Sequence, residues 1–76
     1  MRQITDRQAQ ILLFIENFIE ENNYSPSLRD IAGHFQMSVK GAHDHVWALI
    51  KKEYLIRQSG KSRTIRPKAK NYTEGK

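Results

Sequence analysis

Hydrophobic residues recur at helical spacing in three stretches of the chain, and each stretch opens at a hydroxyl residue that can cap a helix. In the first stretch Thr5 is followed three residues later by Gln8, a capping-box spacing that predicts a helix over residues 6–22. Its predicted buried stripe is Ile11, Leu12, Ile15, Phe18 and Ile19. Leu13 falls opposite that stripe, so we expect its side chain to be exposed.

Two shorter helices follow, separated by only a few residues. Ser27, with Asp30 in the capping-box position, opens the second helix after the turn residues 22–26, and Ser38 opens the third. Their predicted buried positions are Leu28, Ile31, Ala32 and Phe35, then Ala42, Val46, Leu49 and Ile50. Two amphipathic helices joined this tightly must cross steeply, which is the geometry of a helix-turn-helix.

After the third helix the pattern changes from helical to alternating, which predicts a two-stranded hairpin. Residues 54–57 form its first strand, residues 59–60 the turn, and residues 63–66 the return strand, closed by Pro67. An isolated hairpin is marginal in water, so we expect its apolar residues to lie against the helices: Leu55, Ile56 and Ile65. The predicted fold is mainly α with small β, a three-helix winged helix-turn-helix.

Length and composition favour binding over catalysis. The 76 residues make at most one domain, predicted over residues 1–66, with residues 67–76 as a flexible basic tail or a truncated linker. Such a short chain buries too little core for a deep catalytic cleft, and it carries no Ser/His/Asp set or Gly-rich phosphate loop. His43 and His45 point about 200° apart on one helix and cannot share a metal ion. We therefore predict no enzyme activity, no cofactor and no metal.

The sequence also bounds the compartment. The absence of cysteine excludes disulfides and suits a reducing environment. No apolar run approaches the roughly twenty residues of a membrane span, and the N-terminus does not resemble a signal peptide. A cytoplasmic protein without membrane contact is expected.

The net charge of +5 is unevenly distributed. Residues 1–37 hold three Lys/Arg against five Asp/Glu, whereas residues 38–76 hold ten against three, so the two parts carry −2 and +7. This asymmetry indicates a scaffold followed by a polyanion-binding surface. The alternative is an ordinary solvated basic face.

The arc of the third helix opposite its buried stripe is predicted to face a partner, and its N-terminal end would enter a major groove first. Together with the cap, the predicted base-reading residues are Ser38, Lys40, Gly41, His43, Asp44 and Trp47. Lys40 can donate to guanine O6 and N7, and Asp44 can accept from cytosine N4. Gly41 lets the backbone come close. Trp47 packs on a sugar or a thymine methyl group, or instead shields the wing.

Further basic and hydroxyl residues are candidates for DNA backbone contacts: Arg7, Ser27, Lys51, Lys52, Lys61, Ser62 and Arg63. Ser27 serves as a helix cap, although its helix N-terminus can also point at a phosphate. The wing residues 61–63 are expected at the backbone or in the minor groove. The alternative for Arg63 is a solvated hairpin charge.

Four patches in register resemble the N-terminal domain of LexA repressors, over roughly residues 4–66. They are Thr5-Asp6-Arg7-Gln8, Tyr24-Ser25-Pro26-Ser27-Leu28-Arg29-Asp30-Ile31-Ala32, Ser38 with Asp44-His45-Val46 and Ala48-Leu49, and Ser59-Gly60-Lys61-Ser62-Arg63-Thr64-Ile65-Arg66. The resemblance implies a bacterial winged helix-turn-helix repressor of the DNA-damage (SOS) response that acts at the nucleoid. The family's self-cleaving, dimerising C-terminal half lies outside these 76 residues, so regulation through RecA is implied only if that half exists.

The departures from the family pattern carry their own expectations. Family members usually have glycine where this chain has Gln36 and Glu53, and a left-handed residue other than glycine costs roughly 1 kcal/mol, so we expect a slightly different turn geometry. The outward residues of the third helix also differ from those of the best-known members, so no operator sequence is carried over.

We expect a monomer in solution that pairs on the inverted-repeat half-sites of a double-stranded DNA operator. The alternatives are a protein-interaction module that uses the acidic side of helix one, and a stand-alone DNA-binding regulator unrelated to the damage response.

Overall fold

Three helices and a two-stranded hairpin make up the part of the chain that the structure, a computed structural model, describes: residues 3–57 and 65–68. The elements are α1 (Asp6–Asn22), α2 (Leu28–Phe35), α3 (Val39–Lys51), β1 (Leu55–Arg57) and β2 (Ile65–Pro67). This is the mainly α, winged helix-turn-helix architecture that the hydrophobic pattern predicts, and all three predicted helices are confirmed.

Each helix begins at the hydroxyl residue that the sequence indicates. Thr5 and Gln8 exchange side-chain-to-backbone hydrogen bonds of 3.1 and 3.2 Å at the start of α1, and Ser27 and Asp30 do the same at 3.0 Å at the start of α2. The Ser38 hydroxyl accepts a 2.9 Å bond from the backbone N–H three residues on. These bonds satisfy N–H groups that a helix leaves without partners, so the caps set where the helices begin.

The ends of α2 and α3 retain left-handed turns without glycine. Gln36 has φ 57° and Glu53 has φ 69°. After α2, the Met37 N–H donates to the Ala32 carbonyl at 3.0 Å and the Gln36 N–H donates to the Gly33 carbonyl at 3.4 Å, the two bonds of a Schellman motif. The corresponding pair of bonds closes α3 around Glu53. The expectation of a different turn geometry is therefore wrong: Gln36 and Glu53 adopt the left-handed backbone that glycine usually provides, because the Schellman hydrogen bonds require it.

One core lies between the helices and the hairpin. Its buried apolar residues are Ile11, Ile15, Ile31, Ala32, Ala42, Val46, Leu49, Leu55 and Ile65. The predicted stripes form this core, except that several of their members are only half-buried: Leu12, Phe18, Ile19, Leu28, Phe35 and Ile50. Leu13 is 57% exposed, as its position opposite the α1 stripe predicts.

The hairpin places one face of each strand against the helices. Its antiparallel register pairs Leu55 with Pro67, Ile56 with Arg66 and Arg57 with Ile65. β1 lies against α3 and β2 lies against α1. The prediction that Ile56 packs on the helices is wrong, because strand side chains alternate and its neighbour Leu55 takes the inward face; Ile56 is 41% exposed.

The strand limits also differ from the predicted ones. Tyr54 precedes β1 instead of opening it, although its side chain packs at the edge of the core. Pro67 pairs with Leu55 as the last residue of β2, whereas the sequence predicts that the return strand ends before Pro67. A two-stranded sheet has only edge strands, so the missing proline N–H is tolerated. The predicted turn at residues 59–60 and the start of the return strand lie outside the described residues.

Candidate nucleic-acid interface

The arc of α3 that points away from the core is solvent-exposed and polar. The side chains of Lys40, Asp44 and His43 are 84%, 63% and 51% exposed, and Trp47 is 48% exposed. On the opposite side of the same helix Ala42, Val46 and Leu49 are buried. The core thus fixes the rotation of α3 about its axis, and this rotation turns the predicted base-reading residues outward.

Lys40 and Asp44 form an ion pair one helical turn apart. Lys40 Nζ lies 3.4 Å from Asp44 Oδ2, and His43 Nδ1 lies 3.7 Å from Asp44 Oδ1. An exposed ion pair at this spacing stabilises a helix by only about 0.3 kcal/mol. The order here is the less favourable one, because the lysine precedes the aspartate along the helix. The pair therefore costs little to open, and both side chains remain available to an external partner.

The beginning of α3 combines an open backbone with its cap. Ser38 is exposed and its hydroxyl oxygen already accepts the Gly41 N–H. A Cβ atom on Gly41 would lie 3.2 Å from that oxygen and 3.8 Å from the Met37 sulfur. The glycine thus leaves the cap uncrowded and leaves no side chain between the first turn of α3 and an approaching surface.

The candidates for backbone contacts are held in different ways. Lys51 is the exposed last residue of α3, whereas Lys52 is half-buried and its Nζ donates to Gln8 Oε1 at 2.8 Å. Arg7 is exposed on the first turn of α1, with its guanidinium carbon 5.3 Å from the centroid of the Phe35 ring. Lys52 thus joins the end of α3 to the start of α1, while Lys51 carries no such bond in the part of the chain described.

The structure brings only some of the predicted site residues together. Lys40, His43 and Asp44 form one cluster, with Trp47 on the next turn of the same arc. Ser27 is half-buried as the cap of α2, and no hydrogen bond or ion pair among the described residues links it to that cluster. The candidates Lys61, Ser62 and Arg63 lie outside the described residues.

Two features of the site differ in how far the sequence reveals them. The Lys40 and Asp44 pair follows from their separation by four positions on a helix. The bond from Lys52 to Gln8 joins residues 44 positions apart and has no local sequence signal.

Across residues 3–57 and 65–68, no three His, Asp or Glu side chains lie where they could hold one metal ion. None of the helices in these residues has the length and apolar character of a membrane span.

Comparison with known proteins identifies the family of this chain. Residues 1–64 match the sequence family described as the LexA DNA binding domain. The chain belongs to this family. The winged helix-turn-helix expected from the LexA resemblance is also the fold observed.

Individual LexA proteins are similar over most of the chain. It is 51% identical over 65 residues to the LexA repressor of Thermosipho melanesiensis, and the aligned region covers 86% of this chain and 33% of that protein. It is 50% identical over 66 residues to the LexA repressor of Thermotoga maritima, covering 87% and 34%. For the LexA repressor of Sorangium cellulosum the identity is 44% over 69 residues, covering 90% and 30%. The chain thus spans about a third of the length of these LexA relatives.

Proposed function

We propose that this chain reads double-stranded DNA as the binding domain of a bacterial LexA-type transcriptional repressor in the SOS response. The observation that carries the proposal is the exposed donor and acceptor pair Lys40 and Asp44 on the outward arc of α3. In this arrangement residues 38–52 occupy the major groove, and the wing at residues 54–66 contacts the backbone or the minor groove.

Base reading begins when the ion pair on α3 opens. Lys40 then donates to guanine O6 and N7, and Asp44 accepts from cytosine N4, so that the two side chains read one G·C pair or two adjacent pairs. His43 flanks Asp44, and Gly41 allows close approach of the backbone. Trp47 extends the contact by packing on a sugar or a thymine methyl group.

Phosphate contacts supply a grip that does not depend on sequence. The proposed contacts come from Arg7, Ser27, Ser38, Lys51, Lys61, Ser62 and Arg63, whereas Lys52 is held by Gln8. The charge of +7 on residues 38–76 supports them, because neutralising phosphates releases condensed counterions from the duplex.

The operator is proposed to be an inverted repeat that two copies of the chain occupy. A two-fold arrangement of protein requires two-fold DNA, and each copy presents a single α3. Such a regulator works in the bacterial cytoplasm on the nucleoid. Control through RecA applies only where a self-cleaving domain is attached.

Selection of binding sites from a random duplex pool tests base reading. Lys40→Ala and Asp44→Ala should each weaken binding to the best selected site by about 1 to 3 kcal/mol, roughly 5- to 150-fold, and leave binding to random DNA nearly unchanged. Glu20→Ala, which removes an exposed carboxylate from α1, is the matched control and should select the wild-type site. Identical preferences for the wild type and both α3 variants would show that another surface reads the sequence.

A further inference from the structure

A second surface of the domain lies between α1 and α2, apart from the outward arc of α3. Residues of α1 at positions 10, 13, 14, 17, 18 and 21 share a face of the helix beside the core stripe. Together with the end of α2, this face lines an open groove of about 460 Å³. Its lining includes Leu13, Phe14, Asn17, Phe18, His34 and Phe35. No residue of α3 lines it.

Aromatic rings packed against each other form one side of the groove. Phe14 stacks on His34 with ring centroids 4.3 Å apart, and meets Phe35 edge-on at 5.6 Å. Phe18 continues the row at 5.8 Å from Phe14, and Tyr24 follows at 5.5 Å. Because these rings hold one another, the groove is formed before any partner arrives, and binding would need little ordering of side chains.

The groove edge exposes apolar surface that the core does not use. Leu13 is 57% exposed and Tyr24 is 46% exposed. A single exposed leucine requires no explanation, but Leu13 lies directly beside a row of rings in a concave surface. Grooves of this kind accept the apolar face of an amphipathic helix, and the face from residue 10 to residue 21 is about 17 Å long, or three helical turns.

Three carboxylates on the exposed side of α1 give the groove an acidic rim, against one cation, Arg7, whose guanidinium lies over the Phe35 ring. Asp6 and Glu20 stand seven positions before and after Leu13, so all three lie along one line on α1, and Glu21 lines the groove itself. Within the described part of the chain these three carboxylates take part in no ion pair. The rim repels nucleic acid and favours a cationic partner.

We propose that this groove binds an amphipathic helix of a partner protein, with large apolar residues on one face and lysine or arginine beside them. The partner's apolar side chains pack on the rings between α1 and α2, and its cations meet Asp6, Glu20 and Glu21. Because the groove and the outward arc of α3 share no residue, the domain holds DNA and this partner at the same time. This activity is separate from DNA reading and is tested separately.

Synthetic peptides provide the probe. The test peptide is a fluorescein-labelled helix of about 16 residues with leucine at positions i, i+4 and i+7 and lysine beside them. One control peptide replaces each lysine with glutamate, and another replaces each leucine with serine. Fluorescence anisotropy should give saturable binding of the test peptide in the range of about 10 to 100 µM, and at least about tenfold weaker binding of both controls.

Variants of the domain locate the peptide. Leu13→Glu should weaken test-peptide binding at least about tenfold while leaving operator binding unchanged, and the double change Glu20→Lys with Glu21→Lys should weaken peptide binding by a similar factor without weakening operator binding. Ile56→Glu introduces the same charge at an exposed apolar residue outside the groove and should leave peptide binding unchanged. Amide chemical shifts should move on α1 and the end of α2, and circular dichroism melting should confirm that every variant is folded.

Several results would overturn the proposal. They are the absence of saturable binding up to about 1 mM, equal binding of the three peptides, and shift changes confined to α3. Groove-centred shifts produced by single-stranded DNA would assign the surface to nucleic acid instead. Self-association of the free chain that Leu13→Glu abolishes would assign it to a second copy. None of these outcomes alters the site-selection result, so this proposal and the DNA-reading proposal fail independently.

Discussion

Gln36 shows how hydrogen bonds can impose a backbone conformation that its own side chain disfavours. Its φ of 57° lies in the left-handed region, where the Cβ atom of an L residue crowds the following carbonyl. The Schellman bonds after α2 require that conformation, because they bring the N–H groups of Gln36 and Met37 back to the last carbonyls of the helix. The helix end is therefore satisfied at the expense of local strain.

We predict that Gln36→Gly stabilises the domain. Glycine removes a left-handed penalty of about 1 to 2 kcal/mol but adds about 0.5 to 1 kcal/mol of chain entropy to the unfolded state, so the net gain should be about 0.5 to 1 kcal/mol. Urea unfolding followed by circular dichroism measures it. Gln36→Ala is the control, since it keeps the Cβ atom and should bring no gain. A lower unfolding midpoint for the glycine variant would contradict the strain argument.

Most of the residue-scale features could be read from the sequence because they are local. The caps at Thr5, Ser27 and Ser38 and the ion pair of Lys40 with Asp44 connect residues three or four positions apart. The left-handed turns could be anticipated only through the LexA resemblance, since neither glutamine nor glutamate signals one. Only the structure shows that both turns keep the left-handed backbone without glycine.

At the scale of elements, the end of α3 is fastened to the start of α1. The half-buried Lys52 donates to Gln8, whose side chain also accepts the backbone N–H of Thr5 in the capping box. Its neighbour Lys51 points to solvent. Two adjacent lysines of the same helix end thus stand in opposite environments, one bound within the domain and the other free to meet a phosphate.

Charge-removing changes at these two lysines should separate stability from DNA binding. Lys51→Met should make the salt dependence of operator binding shallower by about one unit, as expected when one phosphate contact is lost, and leave stability unchanged. Lys52→Met should lower the free energy of unfolding by about 1 kcal/mol, because the Gln8 oxygen loses one of its two hydrogen-bond donors. Binding isotherms at several salt concentrations and urea unfolding measure the two effects.

The opposite pattern for Lys52 would be equally informative. A shallower salt dependence with unchanged stability would show that Lys52 leaves Gln8 and contacts the DNA backbone. Each lysine variant therefore serves as the control for the other, since both remove the same charge from the same end of α3.

The elements differed in how well the pattern specified them. Helical periodicity and caps fixed α1, α2 and α3, whereas the strands are only three residues long and their limits depend on pairing. The apolar character of Ile56 predicts that it packs on the helices, but the register that turns Leu55 and Ile65 inward turns Ile56 outward. The helical pattern does not reveal the groove between α1 and α2, because it places Phe18 and Phe35 in the buried stripes, whereas both are half-buried.

At the scale of the whole molecule, we predict that the free chain is a monomer. Its core already uses most of its large apolar residues, and two copies of the α1/α2 groove facing each other would bring the acidic rims together. Sedimentation velocity should show a single monomeric species in the tens-of-micromolar range, and two bound copies on an inverted repeat. A stable dimer without DNA would contradict the prediction.

The contact between the last described strand and the first helix sets when the domain can fold. β2 lies against α1, and Ile65 completes a core begun by Ile11 and Ile15. A nascent chain lacks this contact until residue 67 has left the ribosome, and synthesis proceeds at about 5 to 20 residues per second. Until then α1 has no strand to cover it, so the core of the domain closes only after residue 67 has emerged.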